Sequence, residues 1–316
     1  MRRGGLHRTT VATTLTAGAL VLLAACGSSS DPAAGNGLPS PRASNAGTGG
    51  KLGVVAAENF WGNIAEQIGG GTVAVTSIIS DPNTDPHEYE TNASDAAAIV
   101  GASFVIENGV GYDDFVDKLL RASPKQDREV LKISDVVGVS SDVNPHLWYN
   151  PDYVRKAAQA IEGQLAKEDP AHAAAYQASL ASFLTGEQQV VDVISEIRAK
   201  HGGEQIAYTE RVPGYLIEAA GLKLGTPASF AQSIEDGNDP SPADYAAFQV
   251  ALKDHKVNAL LYNAQVTSPI TQHLTDLAKS SGVPVVGVTE TLPPDEKNFQ
   301  TWQADQARAL VTALGG

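Results

Sequence analysis

Cysteine occurs once in the 316 residues, at Cys26, so no intramolecular disulfide can form and the lone thiol needs its own explanation. The chain contains no G-x-S-x-G, H-E-x-x-H or C-x-x-C, which removes the nucleophile elbow, the common zinc-hydrolase helix and the dithiol redox pair. Gly69-Gly70-Gly71 has no following Lys-Ser/Thr and is not a phosphate loop. No internal repeat of solenoid period occurs. Positive charge is scarce, with 22 Lys and Arg against 36 Asp and Glu and a formal charge of −14. Residues 1–25 hold three of those arginines and no acid, so the remainder carries 22 − 3 = 19 basic side chains against 36 acidic ones, or −17. Such a surface excludes nucleic acid as a partner and keeps the protein soluble.

What is present begins with a leader. Arg2, Arg3 and Arg8 precede the apolar run "VATTLTAGALVLLAA", the basic head and apolar middle of a secretory signal, too short and wrongly flanked for a stable span. The residues "LLAAC" resemble the lipobox of bacterial lipoproteins. That resemblance implies cleavage before Cys26 and lipidation of its sulfur, an acyl anchor to the cell membrane. The following stretch to about residue 50 is rich in Ser, Gly, Pro and Ala, lacks periodicity and reads as a flexible tether.

From Lys51 onward, short β-branched runs alternate with longer Ala-rich segments: "LGVVAA", "FWGNIAEQIGG", "TVAVTSIIS", "ASDAAAIVGA" and "FVIENG". A second series starts at Gln205 with "QIAYT" and runs through "VNALLYN" and "VPVVGVT" to a closing helix "FQTWQADQARALVTAL". Strand then helix, repeated, predicts an α/β fold: two (β/α) lobes with mostly parallel sheets, residues 51–168 and 203–316. Between them, residues 169–202 read as one long helix opened by Asp169-Pro170 and closed by Gly202-Gly203. Tyr176, Leu180, Phe183, Val190, Ile194 and Ile197 keep its i, i+3/i+4 rhythm, which breaks at Glu187 beside Gly186. A rod of roughly 45 Å would join the lobes while limiting their swing.

Ligands of open parallel sheets bind at the carboxyl ends of strands. Four side chains in such loops suit a cation. His87 sits in "SDPNTDPHEYE", where proline fixes the backbone before the imidazole, and His146 sits in "NPHLWYNP" with the same preceding proline. Glu210 follows "QIAYT", and Glu290 follows "VPVVGV" after one threonine. Two imidazoles from the first lobe and two carboxylates from the second form a metal-ligand set of borderline to hard character. His172, His201, His255 and His273 lie on or near helices without a second candidate ligand and default to solvated positions. Glu235, Asp236 and Asp239 in "SIEDGNDP" read as a solvated acidic loop.

Taken together, "DPHEYE", "SDAAAIVGASFVIENGVGYDDFVDKLL", "PHLWYNP", "YTERVPGYLIEAAGL" and "VTETL" resemble the solute-binding lipoproteins of metal ABC importers, the zinc/manganese cluster. The matching segments follow the family's order over nearly all of residues 51–316. The resemblance implies two lobes on one backbone helix, with the cation held between them by His87, His146, Glu210 and Glu290. It also implies a monomer that delivers its ion to a membrane permease driven by an ATPase on other chains.

Two departures bear on the cargo. The third ligand is histidine in typical zinc members and glutamate, as here, in manganese or iron members, and the fourth is most often aspartate rather than Glu290. The stretch from Val110 to Asn144 contains no histidine, so the His-rich loop of many zinc importers is absent. Manganese is therefore favoured as cargo with zinc close behind, even though zinc binds nearly any N/O site more tightly than manganese. A metal-dependent hydrolase and a receptor for a chelated metal stand as the alternatives.

Overall fold

The structure is a computed structural model and describes residues 50–140 and 143–316. The expected signal, Cys26 and the tether up to residue 49 lie outside the described residues. Strand β1 (Leu52–Glu58) turns Val54 and Ala56 to one side and Val55 and Ala57 to the other, and all four are buried. A strand buried on both faces must lie between two layers of helix, which is the environment of parallel sheets. Strand β1 pairs in parallel with β2 (Val73–Ile79) and β3 (Phe104–Glu107), and β3 pairs with β4 (Glu129–Lys132), in the order β2-β1-β3-β4.

A second sheet repeats the plan. Strands β5 (Gln205–Tyr208), β6 (Lys223–Leu224), β7 (Leu260–Asn263) and β8 (Val285–Val288) take the order β6-β5-β7-β8, again parallel throughout. The two-lobed α/β class expected from the strand–helix alternation is the one observed. In each sheet the connections change direction between the two central strands, which opens a crevice at their carboxyl ends.

Helices α1 (Asn59–Gly69), α2 (Ala93–Gly101), α3 (Asp114–Ala122), α4 (Ile133–Val137) and α5 (Pro151–Glu168) accompany the first sheet. Helices α7 (Gly214–Ala219), α8 (Ala228–Glu235), α9 (Pro242–Lys253), α10 (Pro269–Ser280) and α11 (Phe299–Ala313) accompany the second. Between the two sets runs α6 (Ala173–His201), 29 residues or about 44 Å. It starts three residues later than Pro170 suggests. Asp169 spends its carboxylate on the side chains of His172 (2.6 Å) and Tyr176 (2.9 Å) instead of on a backbone cap, and Pro170–His172 form a separate 3-10 turn.

The apolar rhythm of α6 does not break at Glu187. That side chain lies on the buried stripe at 3% exposure, where burial pushes its carboxyl up to about 8 against the opposing pull of Arg155. Tyr176, Phe183, Val190, Ile194 and Ile197 join Val54, Phe60 and Trp61 of the first lobe and Ile206, Val212 and Leu261 of the second in one continuous core. Each large apolar side chain so buried stabilises the fold by roughly 1.5–3 kcal/mol, so the shared core resists separation of the lobes. Helix α11 belongs to the same core through Phe299, Trp302 and Leu310, and the backbone N–H of Phe299 donates to Asn63 of α1. Among the described residues, no helix is long and apolar enough to cross a membrane.

Candidate metal centre

His87 owes its place to the Asp-Pro step before it. Asp85 accepts a hydrogen bond from the His87 backbone N–H at 2.9 Å, and Pro86 begins the 3-10 turn Pro86–Glu88 that follows β2. Two conformational restraints acting on one residue reduce the entropy lost when its ring is held for a ligand. His146 precedes a second such turn, Leu147–Tyr149, whose Trp148 stacks on Phe60 with ring centroids 3.9 Å apart. Asn150 then caps α5 over Pro151, so the whole segment from His146 to the helix is anchored.

Glu210 lies two residues beyond β5 and Glu290 two beyond β8, both at the carboxyl ends of their strands. Gln265 holds the Glu290 loop by accepting from the backbone N–H groups of Glu290 (2.6 Å) and Thr291 (2.9 Å). The four side chains approach one another from both sheets. Nε2 of His87 and Nε2 of His146 each lie 3.4 Å from Oε2 of Glu290, with no hydrogen-bond partner of their own. The ligand atoms of these three residues fall within 4.8 Å of one another. Glu210 stands beside that triad: Nδ2 of Asn263 donates both to Oε2 of Glu210 (2.9 Å) and to Oε1 of Glu290 (2.6 Å). The other Glu210 oxygen, Oε1, is buried without a partner.

Charge in this site is balanced by proximity. Burial disfavours a charged His87, but Glu290, Glu235 and Asp85 outweigh it and push the imidazole up to about 9. Burial would raise Glu290, yet the two imidazoles hold its carboxyl below the usual range. Glu210 goes the other way: burial first, and then the Glu290 carboxylate, raise it well above an ordinary glutamate, with the Asn263 amide opposing. Without a cation these surroundings favour a proton on His87 beside Glu290 and disfavour a charged Glu210. A divalent ion would replace those protons.

Three neighbours of the centre carried no signal as ligands. Tyr112 donates its hydroxyl to Oε2 of Glu290 at 2.8 Å, Asn263 bridges the carboxylates, and Asn144 accepts at 2.7 Å from Nδ1 of His146. Asn263 ends β7, so the strand-end rule that singles out Glu210 also reaches it. Because Asn144 Oδ1 can only accept, Nδ1 of His146 donates to it, which leaves Nε2 facing Oε2 of Glu290.

The acidic loop expected at residues 235–239 is only partly solvated. Glu235 is 7% exposed because Arg211 donates to it from both its backbone N–H and its Nε, the latter at 2.6 Å; Asp236 and Asp239 remain exposed. Of the other histidines, His172, His255 and His273 are exposed, whereas His201 is partly buried beside Glu204 at 3.1 Å. A cavity of about 530 Å³, walled by Tyr112, Pro145, Arg211 and Glu235, meets the centre at His87. Of the four, only His87 faces it, and the other three are buried behind.

Known proteins resemble this chain over most of its length. The manganese-binding lipoprotein MntA of Halalkalibacterium halodurans is 26% identical over 267 residues, covering 82% of this chain and 85% of that protein. The metal ABC transporter substrate-binding lipoprotein FimA of Streptococcus parasanguinis is 24% identical over 264 residues, covering 78% and 82%. In fold, the chain matches FpvC of Pseudomonas aeruginosa in complex with Mn2+ at a TM-score of 0.70 and 22% identity, covering 84% of this chain and 98% of that one. It matches the Mn-bound periplasmic metal binding protein of Candidatus Liberibacter asiaticus at 0.69 and 19%, covering 84% and 100%. The family model for the zinc-uptake complex component A, periplasmic (ZnuA), spans residues 54–313, which include α6, all four candidate ligands and both sheets but for the first two residues of β1. The chain belongs to that family.

Proposed function

We propose that this protein is the extracytoplasmic solute-binding component of a metal ABC importer, which captures a divalent cation on His87, His146, Glu210 and Glu290 and delivers it to a permease. The observation that carries the reading is the convergence of two unpartnered imidazole nitrogens on the buried Glu290, with Glu210 joined to the same carboxylate through Asn263 and keeping a buried, unpartnered oxygen of its own. Buried polar atoms without partners are costly, and a cation bound among them would satisfy all of them at once. One chain supplies the full set, which suits a monomer. Cys26 would hold it to the membrane by acyl chains, and the tether would let it reach the permease.

Manganese is the favoured cargo and zinc the close second. Two carboxylates able to bind through both oxygens suit the higher coordination number of manganese, whereas a tetrahedral zinc site would more naturally use three nitrogens. Two relatives carry manganese in their names and others iron, while the family description names zinc. Binding is the whole task in this reading, and the chain is not an enzyme: a catalytic metal site needs an open position for water and a general base beside it. Elemental analysis of protein purified without chelator, followed by manganese–zinc competition, tests the proposal. Less than a tenth of an equivalent of any divalent metal, with none taken up on addition, would sink it.

A further inference from the structure

Asn144 stands where the two lobes meet at the metal centre. Its Oδ1 accepts from the backbone N–H of His146 at 3.2 Å and from the Nδ1 of the same ring at 2.7 Å. Its Nδ2 donates across the cleft to the carbonyl of Arg211, also at 2.7 Å. Arg211 directly follows Glu210. The two ends of the amide are not interchangeable, because a backbone N–H only donates and a carbonyl only accepts. Two further features support this placement. Tyr215, in α7 of the second lobe, donates its hydroxyl to the Asn144 carbonyl at 2.9 Å. Gly214 leaves the amide its room, since a Cβ there would lie 2.6 Å from Nδ2.

Resting on the metal-receptor reading above, we propose that Asn144 is a positioning residue that ties the presentation of His146 to the closure of the second lobe beside Glu210, and so sets how fast the captured cation leaves. A carboxylate in its place would keep the acceptor toward His146. Toward Arg211 it would set oxygen against oxygen, losing a bond and adding repulsion. The carboxamide is thus required for the strap but not for the tautomer of His146.

The test uses the full mature chain with Mn2+ or Zn2+ alone, and follows release into excess chelator by stopped flow. The variants are N144D and G214A. The second alters neither a ligand nor Asn144, and alanine is the better helix former at that position. N144D should release metal about tenfold faster, within the range known for residues that orient ligands, with association within about twofold of wild type. Nitrogen NMR of the metal-free chain should show His146 still protonated on Nδ1. G214A should also release several-fold faster, and it carries the test alone if N144D fails to fold by near-ultraviolet circular dichroism. Wild-type release rates in both variants overturn the strap, as does fast release in N144D with wild-type release in G214A, which would make charge the cause. A wild-type chain that takes up neither metal sinks the receptor reading, and the proposal with it.

Discussion

Metal capture by this centre should release protons, and the structure says from where. In the metal-free protein His87 is pushed up to about 9, held there mainly by Glu290 against the effect of burial. An imidazole must be neutral to coordinate. Binding should therefore release from His87 about one proton per site at pH 7.5, about half at pH 9 and about a tenth at pH 10. Glu210, also raised, adds to the count wherever it is still protonated. Displacement of one proton weakens affinity about tenfold, or ~1.4 kcal/mol, for each pH unit below the shifted value. Between pH 8 and pH 6 the loss should reach at least ~100-fold. An ordinary imidazole near ~6.5 would place most of that loss below pH 6.5. Stability without metal runs in the opposite direction. The folded value of His87 lies above the unfolded one, so its contribution of about 3 kcal/mol is fully present below ~6.5 and disappears as pH rises through about 9. Calorimetric titration in buffers of different ionisation enthalpy counts the protons directly. Equal affinities at pH 8 and pH 6, or fewer than about 0.3 protons released at pH 7.5, would refute the argument.

Glu187 gives a second pH signature of a different kind. Its folded carboxyl is raised to about 8, so the folded state keeps a proton that the unfolded chain gives up, and stability should fall as pH rises from ~4.5 to ~8. Glu187→Gln should flatten that slope and gain about 2–4 kcal/mol at pH 8, read from denaturant melts; an unchanged slope contradicts it. Glu210→His should raise the zinc-over-manganese affinity ratio about tenfold or more in competition titrations, and an unchanged ratio would remove Glu210 from the ligand set. Cys26→Ser should free the mature protein from the membrane fraction, and continued co-sedimentation with membranes would end the lipoprotein reading.

The strands were legible because burial on both faces demands unbroken apolar runs, and "LGVVAA" and "VNALLYN" are such runs. His87 and His146 were legible because a proline before a histidine in a strand-end loop is a local restraint that a sequence can display. Glu235 was not. Its neighbours Asp236 and Asp239 are exposed, and what buries it is Arg211, 24 positions away. Helix α8 and the two-residue strand β6 escaped for a related reason, since neither is long enough to show a period. Glu187 looked like a break in the pattern because a carboxyl on an apolar stripe contradicts the rule that defines the stripe. Asn144, Asn263 and Tyr112 are ordinary loop or strand-end residues until folding brings the candidate ligands to them.

The bonds between α1 and the segment around α11 bear on how the molecule is made. Asn59 exchanges hydrogen bonds with Leu292, Asn63 accepts from Phe299, and Gln67 pairs with Gln300, each across at least 233 positions of sequence. Contacts so distant require very large loops to close before they contribute anything, and chains that depend on them fold slowly. A polypeptide synthesised and exported amino end first would present the inner face of α1, with Phe60 and Trp61, long before its partners arrive. The two lobes look separable on paper, yet bonds of this reach tie the first helix to the last, so a chain lacking its carboxyl end would leave that face of α1 uncovered.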